Sequence, residues 1–258
     1  MKKREKSPYL NHKISKVSYL LSQTLHLKTS YGVDAFALKM IAIIAMTIDH
    51  VGVLLYPDAL WLRVIGRLAM PIMTFLIVEG YHNTTNLKRY LIRLLIFALI
   101  AQPIYRLAFP HGLNVFFDLL AGLCLIWLAD RIRLPWATYL LIAMVGIIGI
   151  AIELDWWHLG LFLIFIFHKT RGRFKSTVST LSALLVVNFF VFAIVSAYTG
   201  DYSYVIINAI NLGCILALPI LFLYNGLRGS DYRYFFYTYY PLHLLLLFAI
   251  RQLLFHEI

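Results

Sequence analysis

Apolar positions along this chain come in long runs rather than in alternating stripes, and the breaks between runs are short. The runs lie near residues 37–56, 61–81, 90–108, 115–129, 135–152, 157–168, 178–198, 204–224 and 234–254. Most approach the roughly 20 residues a helix needs to cross a hydrocarbon core. The pattern predicts an all-α integral membrane protein, a polytopic bundle of about nine transmembrane helices over residues 37–258. The sixth run is short, which fits little tilt, re-entry or shielding by neighbours. No internal repeat stands out, and the basic loop 169–175 is the candidate hinge between halves.

Composition agrees with the pattern. Hydrophobic residues make up 61% of the chain and charged residues 14%, too little polar surface to cover a soluble globule of 258 residues. Charge then gives orientation, because Lys and Arg in short loops stay on the cytoplasmic side. Lys88 and Arg89, Arg131 and Arg133, Lys169, Arg171, Arg173 and Lys175, and Arg228 and Arg233 fall in alternate loops, whereas the segments around Pro57, Glu153 and Asp201 have none. The alternation predicts a plasma-membrane protein with its N-terminus inside and its C-terminus outside. It also accounts for the net charge of +11 without a nucleic acid partner, and it would attract a CoA-like polyanion to the inner face.

Residues 1–36 form a basic cytoplasmic tail. Ile14, Val17, Leu20, Leu21 and Leu25 recur near helical spacing among Lys13, Lys16 and Lys28, as in a helix lying on the inner leaflet. A partly ordered basic tail fits equally. The first long apolar run begins too late for a cleavable signal. Cys124 and Cys214 are isolated in apolar segments, so no metal framework or redox motif is expected.

The ionisable residues inside the runs carry the chemistry. At about 1.5 Å per residue, Asp49 and His50 of "AMTIDHVGVLLY" fall just past the midplane, and Arg63 and Arg67 descend to the same level one turn apart. Gln102 and Arg106 close the third run there, Asn114 and Asp118 open the fourth, and His243 follows Pro241 in the last. Glu79 stands apart near the cytoplasmic end. Each ionisable group at a helix centre costs roughly 2.5–3.5 kcal/mol, so such groups face a bundle interior and pair. Asp49 is expected to pair with Arg67, leaving His50, about 100° further round its helix, to face a cavity. The bland alternatives are helix-packing histidines, a structural Asp49–Arg67 clamp and an Asn114 cap. The aromatic run "YRYFFYTYYP" at 232–241 reads first as an interfacial belt.

"MTIDHVG", "GRLAMPIMTF", "ALIAQPIYRLA", "LNVFFDLLAG" and "YTYYPLHLLLL" in runs one to four and nine together carry a family likeness. The chain resembles the TraX family of membrane acetyltransferases, whose namesake acetylates the pilin amino terminus. The resemblance points to Asp49, His50, Gly66, Arg67, Pro71, Gln102, Asn114 and His243, while runs five to eight share only hydropathy. It implies transfer of an acetyl group from cytosolic acetyl-CoA to a peptide or protein acceptor, or another cell-surface molecule, at or beyond the outer face. Such a transfer needs a base, a group for the oxyanion and a path for CoA. His50 is then base or transient acetyl carrier, Asp49 orients it or neutralises Arg67, Arg67 stabilises the oxyanion, and His243 binds the thioester or shares the proton. Arg63, Gln102, Arg106, Asn114 and Asp118 become the substrate-binding set. CoA phosphates are assigned to Arg171, Arg173 and Lys175, or to Arg228 and Arg233. Two other classes use the same buried charges: a transporter with a proton relay, and a structural assembly factor.

Overall fold

A computed structural model describes residues 32–255. The basic tail and its expected amphipathic helix lie largely outside them. The described chain is helical, with two isolated bridges, Val33 to Tyr224 and Leu113 to Leu154. In order the helices are α1 (Ala35–Leu54), α2 (Leu60–Gly66), α3 (Ala69–Asn83), α4 (Leu87–Ala108), α5 (Val115–Ala129), α6 (Pro135–Ala151), α7 (Trp157–Thr170), α8 (Phe174–Thr199), α9 (Ser203–Asn211), a 3-10 turn Leu212–Leu216, α10 (Ala217–Phe222) and α11 (Arg233–Phe255).

Helix boundaries follow local chemistry. Asp34 caps α1 by accepting from the Ala37 amide at 2.8 Å, Asn86 caps α4 from Arg89, and Asn114 caps α5 from Phe116. Gly200 ends α8 in the left-handed conformation, with φ 74°. Pro71 sits in the first turn of α3 and cannot donate to the carbonyl of Arg67 four residues back. The second apolar run therefore breaks into α2 and α3, and Arg67 stands at the break. The eighth run breaks likewise at Leu212–Leu216.

Among the described residues, six apolar segments are long enough to cross a membrane: Ala35–Leu54, Leu60–Asn83, Leu87–Ala108, Phe174–Thr199, Ser203–Phe222 and Tyr234–Phe255. The chain is thus an all-α, multi-pass membrane protein whose solvent is lipid. Large apolar side chains accordingly stand outward, such as Leu99 on α4, Ile147 on α6 and Phe190 on α8. Helices α5, α6 and α7 are shorter. Among these, α7 is the most enclosed, with Leu159, Leu161, Leu163 and Ile164 all buried, so its length need not match the bilayer. One core joins it to α1, α3, α4, α5, α8 and α11 through Leu38, Ile72, Leu94, Leu123, Leu181 and Leu244.

Candidate functional site

Gly66 is the contact that builds the site. A Cβ there would fall on the Asp49 carboxylate, so only glycine lets the end of α2 close onto α1. Arg63 donates from Nε to Asp49 Oδ1 at 3.0 Å, and Arg67 Nη2 stands 3.8 Å from the same oxygen. Asp49 therefore answers two guanidiniums, and Arg63 is the closer. Arg67 is buried, lies over the Trp156 ring at 4.8 Å from its centroid, and keeps an Nε–H with no partner.

His50 turns to another partner. Its Nδ1 lies 2.8 Å from Nε2 of His243 across 193 residues of sequence, and His243 Nδ1 lies 3.0 Å from the carbonyl of Tyr239. A carbonyl only accepts, so His243 carries its proton on Nδ1 and offers the Nε2 lone pair. His50 must then donate from Nδ1, which leaves the basic lone pair on its own Nε2. Both histidines are buried, and His50 lines a cavity of about 510 Å³.

The loop between α6 and α7 closes that cavity. Glu153 and Trp157 adopt left-handed backbone, with φ 52° and 48°, unfavourable for side chains of their size. The bend between them is held by Asp118, whose carboxylate accepts from the Asp155 and Trp156 amides at 3.1 Å. Asp155 thereby lines the cavity and accepts from Tyr105 Oη at 2.8 Å. Burial raises the Asp155 carboxyl above the ordinary range.

A second cavity, of about 660 Å³, opens at the opposite end of the bundle. Lys39, Arg89, Arg93 and Arg228 line it, with Glu79 and Asp231 as the acidic groups. Met73, Phe116 and Phe236 line both cavities, so those three side chains belong to the partition between them. At the same end, Arg171 binds Glu79 at 2.7 Å, and Asp130 accepts from Tyr81 and His168 at 2.8 Å. Partial burial raises the Asp130 carboxyl, but those two hydrogen bonds outweigh it and hold the group below its usual value.

The expected site residues thus separate. Asp49, His50, Arg63 and Arg67 line the smaller cavity, and His243 reaches it through His50. Asp49 does not orient His50; it is engaged by the two arginines. Gln102, Arg106, Asn114 and Asp118, expected to bind substrate, stand behind the cavity wall. Asn114 donates to Gln102 Oε1 at 2.7 Å and to the Ala98 carbonyl at 2.8 Å, Gln102 donates to the Gly112 carbonyl at 3.0 Å, and Arg106 holds the Pro110 carbonyl. Of the basic residues expected to meet phosphate, Arg228 lines the larger cavity, Arg171 is paired with Glu79, and Arg173 binds the Lys169 carbonyl. Lys175 does not line that cavity, and the side chain of Arg233 is outside the described set. Lys39, Arg89, Arg93, Asp155, His158, Asn188, Asn208 and Asn211 are additional cavity residues. Among the described residues no cluster of three or more His, Cys, Asp or Glu could hold a metal ion.

Among the described residues, four of the six buried side-chain atoms without a hydrogen-bond partner, in Arg67, His158, Asn211 and Tyr240, belong to residues lining the 510 Å³ cavity. Natural interiors satisfy nearly all such atoms, so the polar bonding of the residues around this cavity is incomplete.

The family model described as TraX protein matches residues 35–251. The chain is 33% identical over 247 residues to a probable fimbrial assembly protein, FimC of serogroup H1, from Dichelobacter nodosus, covering 86% of this chain and 97% of that one. It is 38% identical over 92 residues to an uncharacterized protein of Rickettsia prowazekii (strain Madrid E), 35% of each chain. No solved structure matches.

Proposed function

This chain belongs to the TraX family, and on that premise we propose that it is a membrane acetyltransferase acting on a pilin-like peptide. The observation that carries the reading is the pair of cavities at opposite ends of the bundle, one basic and one holding the His50–His243 pair, with Met73, Phe116 and Phe236 lining both. We take the chain to cross the bilayer nine times, with α7 as the short central span and the basic cavity on the cytoplasmic side. The relation to a fimbrial assembly protein supports an acceptor connected with fimbriae.

The larger cavity suits the donor. Lys39, Arg89, Arg93 and Arg228 would hold the phosphates of acetyl-CoA, where Arg offers forked hydrogen bonds and Lys a point charge. Lys39 and His50 are eleven positions apart on α1, about 16 Å of helix rise. A pantetheine arm has about as many chain bonds as four or five extended residues, roughly 15 Å, so an arm that displaces the partition reaches His50. When bound, acetyl-CoA supplies the acyl group as a thioester. His50 Nε2 takes the proton from the attacking amine, a new N–C bond replaces the C–S bond, and the proton passes on to the departing thiolate. The Arg67 Nε–H is the donor available to the carbonyl oxygen as it gains charge. Asp49 holds Arg67 and Arg63 in place.

The test is acetylation of a synthetic pilin-like peptide with a free amino terminus, using labelled acetyl-CoA and membranes containing the protein. Wild type should acetylate the amino terminus, and His50→Ala should lose about 10²–10⁴-fold in rate while remaining inserted at the same level. Near-normal turnover by His50→Ala would overturn the assignment of the base. One observation favours a transporter: α2–α3 and α9–α10 are broken beside the cavity, as in carriers. Uptake of the peptide or of CoA without acetyl transfer would establish that reading instead.

A further inference from the structure

Of the two carboxylates lining the smaller cavity, Asp49 is taken up by Arg63 and Arg67, whereas Asp155 forms no ion pair among the described residues. One of its oxygens is occupied: Tyr105, buried on α4, donates to Asp155 Oδ1 at 2.8 Å. The other, Oδ2, has no hydrogen bond among the described residues. Asp155 is only half-buried and Oδ2 is not among the buried atoms that lack a partner, so this oxygen keeps an open surface. The backbone holds the residue in place, since the Asp155 and Trp156 amides are bonded to Asp118 behind the bend. His50 is a near neighbour. The Phe109 ring, with its centroid 5.1 Å from that of Tyr105 and 5.5 Å from that of the imidazole, packs against both.

An open carboxylate oxygen favours a donor that carries positive charge, because a charge-assisted hydrogen bond is about twice as strong as a neutral one. A metal ion would need several ligands, and among the described residues no group of three or more His, Cys, Asp or Glu is placed to hold one. The proton count of acetyl transfer to an amine calls for such an oxygen. An amino terminus has a pKa of about 7.7–8.0, so near neutral pH it arrives mainly as an ammonium with three protons. The amide product keeps one of them. His50 takes one and returns it to the thiolate, so one more must leave the nitrogen before it can attack. Burial raises the Asp155 carboxyl, which makes it a readier proton acceptor than an ordinary aspartate.

We propose, resting on the acetyltransferase reading, that Asp155 Oδ2 binds the ammonium of the acceptor and takes its first proton. The freed nitrogen lone pair then attacks the thioester carbon, and the second proton goes to His50 Nε2 as the N–C bond forms. The C–S bond breaks, His50 protonates the thiolate, and Asp155 releases its proton to water. Ammonium and thioester thus give amide, thiol and one proton, with charge conserved. A hydroxyl acceptor loses a single proton, which His50 alone can take, so Asp155 is the residue that selects amines over hydroxyls. Tyr105 is a positioning residue, because by holding Oδ1 it leaves Oδ2 for the acceptor.

The experiment uses the full chain in lipid nanodiscs, without acetyl-CoA, and two synthetic pilin-like peptides that differ only at the first residue. One begins with glycine, the other with glycolic acid, whose hydroxyl replaces the ammonium. Wild type should bind the amine peptide roughly tenfold or more tightly than the hydroxyl peptide, the scale of one charge-assisted hydrogen bond. Asp155→Asn, which keeps its shape and an oxygen for Tyr105, should remove that preference and leave the Kd of the hydroxyl peptide near wild type. A membrane-permeant carbodiimide, which joins an amine to a carboxyl in contact with it, needs no variant. In wild type it should couple the amine peptide to Asp155, and this adduct decides the matter if Asp155→Asn loses both peptides by failing to fold. Equal affinity of wild type for the two peptides, an unchanged preference in Asp155→Asn, or coupling confined to other carboxyls would overturn the site. Acetyl transfer by wild type with no coupling at Asp155 removes the site alone, while amine-selective binding and coupling at Asp155 without any transfer removes the acetyltransferase reading.

Discussion

His50 and His243 are joined in one directed chain of hydrogen bonds. The Tyr239 carbonyl fixes the His243 tautomer, His243 fixes that of His50, and only then does His50 present a lone pair on Nε2. His243→Ala is therefore expected to lower transfer at least tenfold while leaving the KM for acetyl-CoA near wild type, and His50→Ala with His243→Ala should be no slower than His50→Ala alone. Residues that work together are non-additive in this way. A double variant whose losses multiply, measured as kcat/KM for the peptide, would mean that the two imidazoles contribute separately. Both histidines are legible in sequence because an ionisable residue in an apolar run is conspicuous. Their pairing is not, since it joins α1 to α11 across 193 positions. The aspartate adjacent to His50 is misleading for the same reason, because neighbours on a helix point about 100° apart.

At the scale of elements, the α1–α2 contact at Gly66 sets the position of Asp49 against Arg63 and Arg67. Gly66→Ala is expected to destabilise the fold by about 1–3 kcal/mol, the usual cost of overpacking, and to reduce transfer further by displacing the Asp49 carboxylate. Thermal unfolding in detergent and a transfer assay check the two effects, and an alanine variant as stable as wild type would show that α2 can retreat freely. The runs of the sequence correspond closely to these helices, because a segment crossing lipid must satisfy its backbone internally and be apolar along its length. The break at Arg67 does not show in the run pattern, which continues unbroken over 61–81, because Pro71 ends a hydrogen-bond ladder without lowering the hydropathy. Nor is the wall formed by Asn188, Asn208 and Asn211 legible: isolated carboxamides barely lower the hydropathy of a run, and their alignment depends on how α7, α8 and α9 pack. Gln102, Asn114 and Asp118 illustrate the opposite case. Their depth along the helices is readable, but they bond to the backbone of Ala98, Gly112, Asp155 and Trp156 and do not line the cavity, and depth alone carries no azimuth.

For the whole molecule, the alternation of basic loops and the nine-span reading require opposite sides for residues 173 and 201. With Cys124 and Cys214 replaced by alanine, Arg173→Cys should react with an impermeant thiol reagent only after the cells are opened, and Asp201→Cys should react in intact cells. Labelling of Arg173→Cys from outside would reverse the assignment of the basic cavity to the cytoplasm. The partition of Met73, Phe116 and Phe236 has one more consequence. A cell membrane holds a voltage, and each elementary charge crossing it exchanges about 2.3 kcal/mol per 100 mV. The cavities at opposite ends of the bundle share these three apolar side chains in their walls, so the side chains contribute to the electrical insulation between the two ends. Under the proposed reading, an acyl donor arm that pushes them aside must fill the gap it makes, so that the bound donor itself becomes the plug that keeps the bilayer sealed against protons.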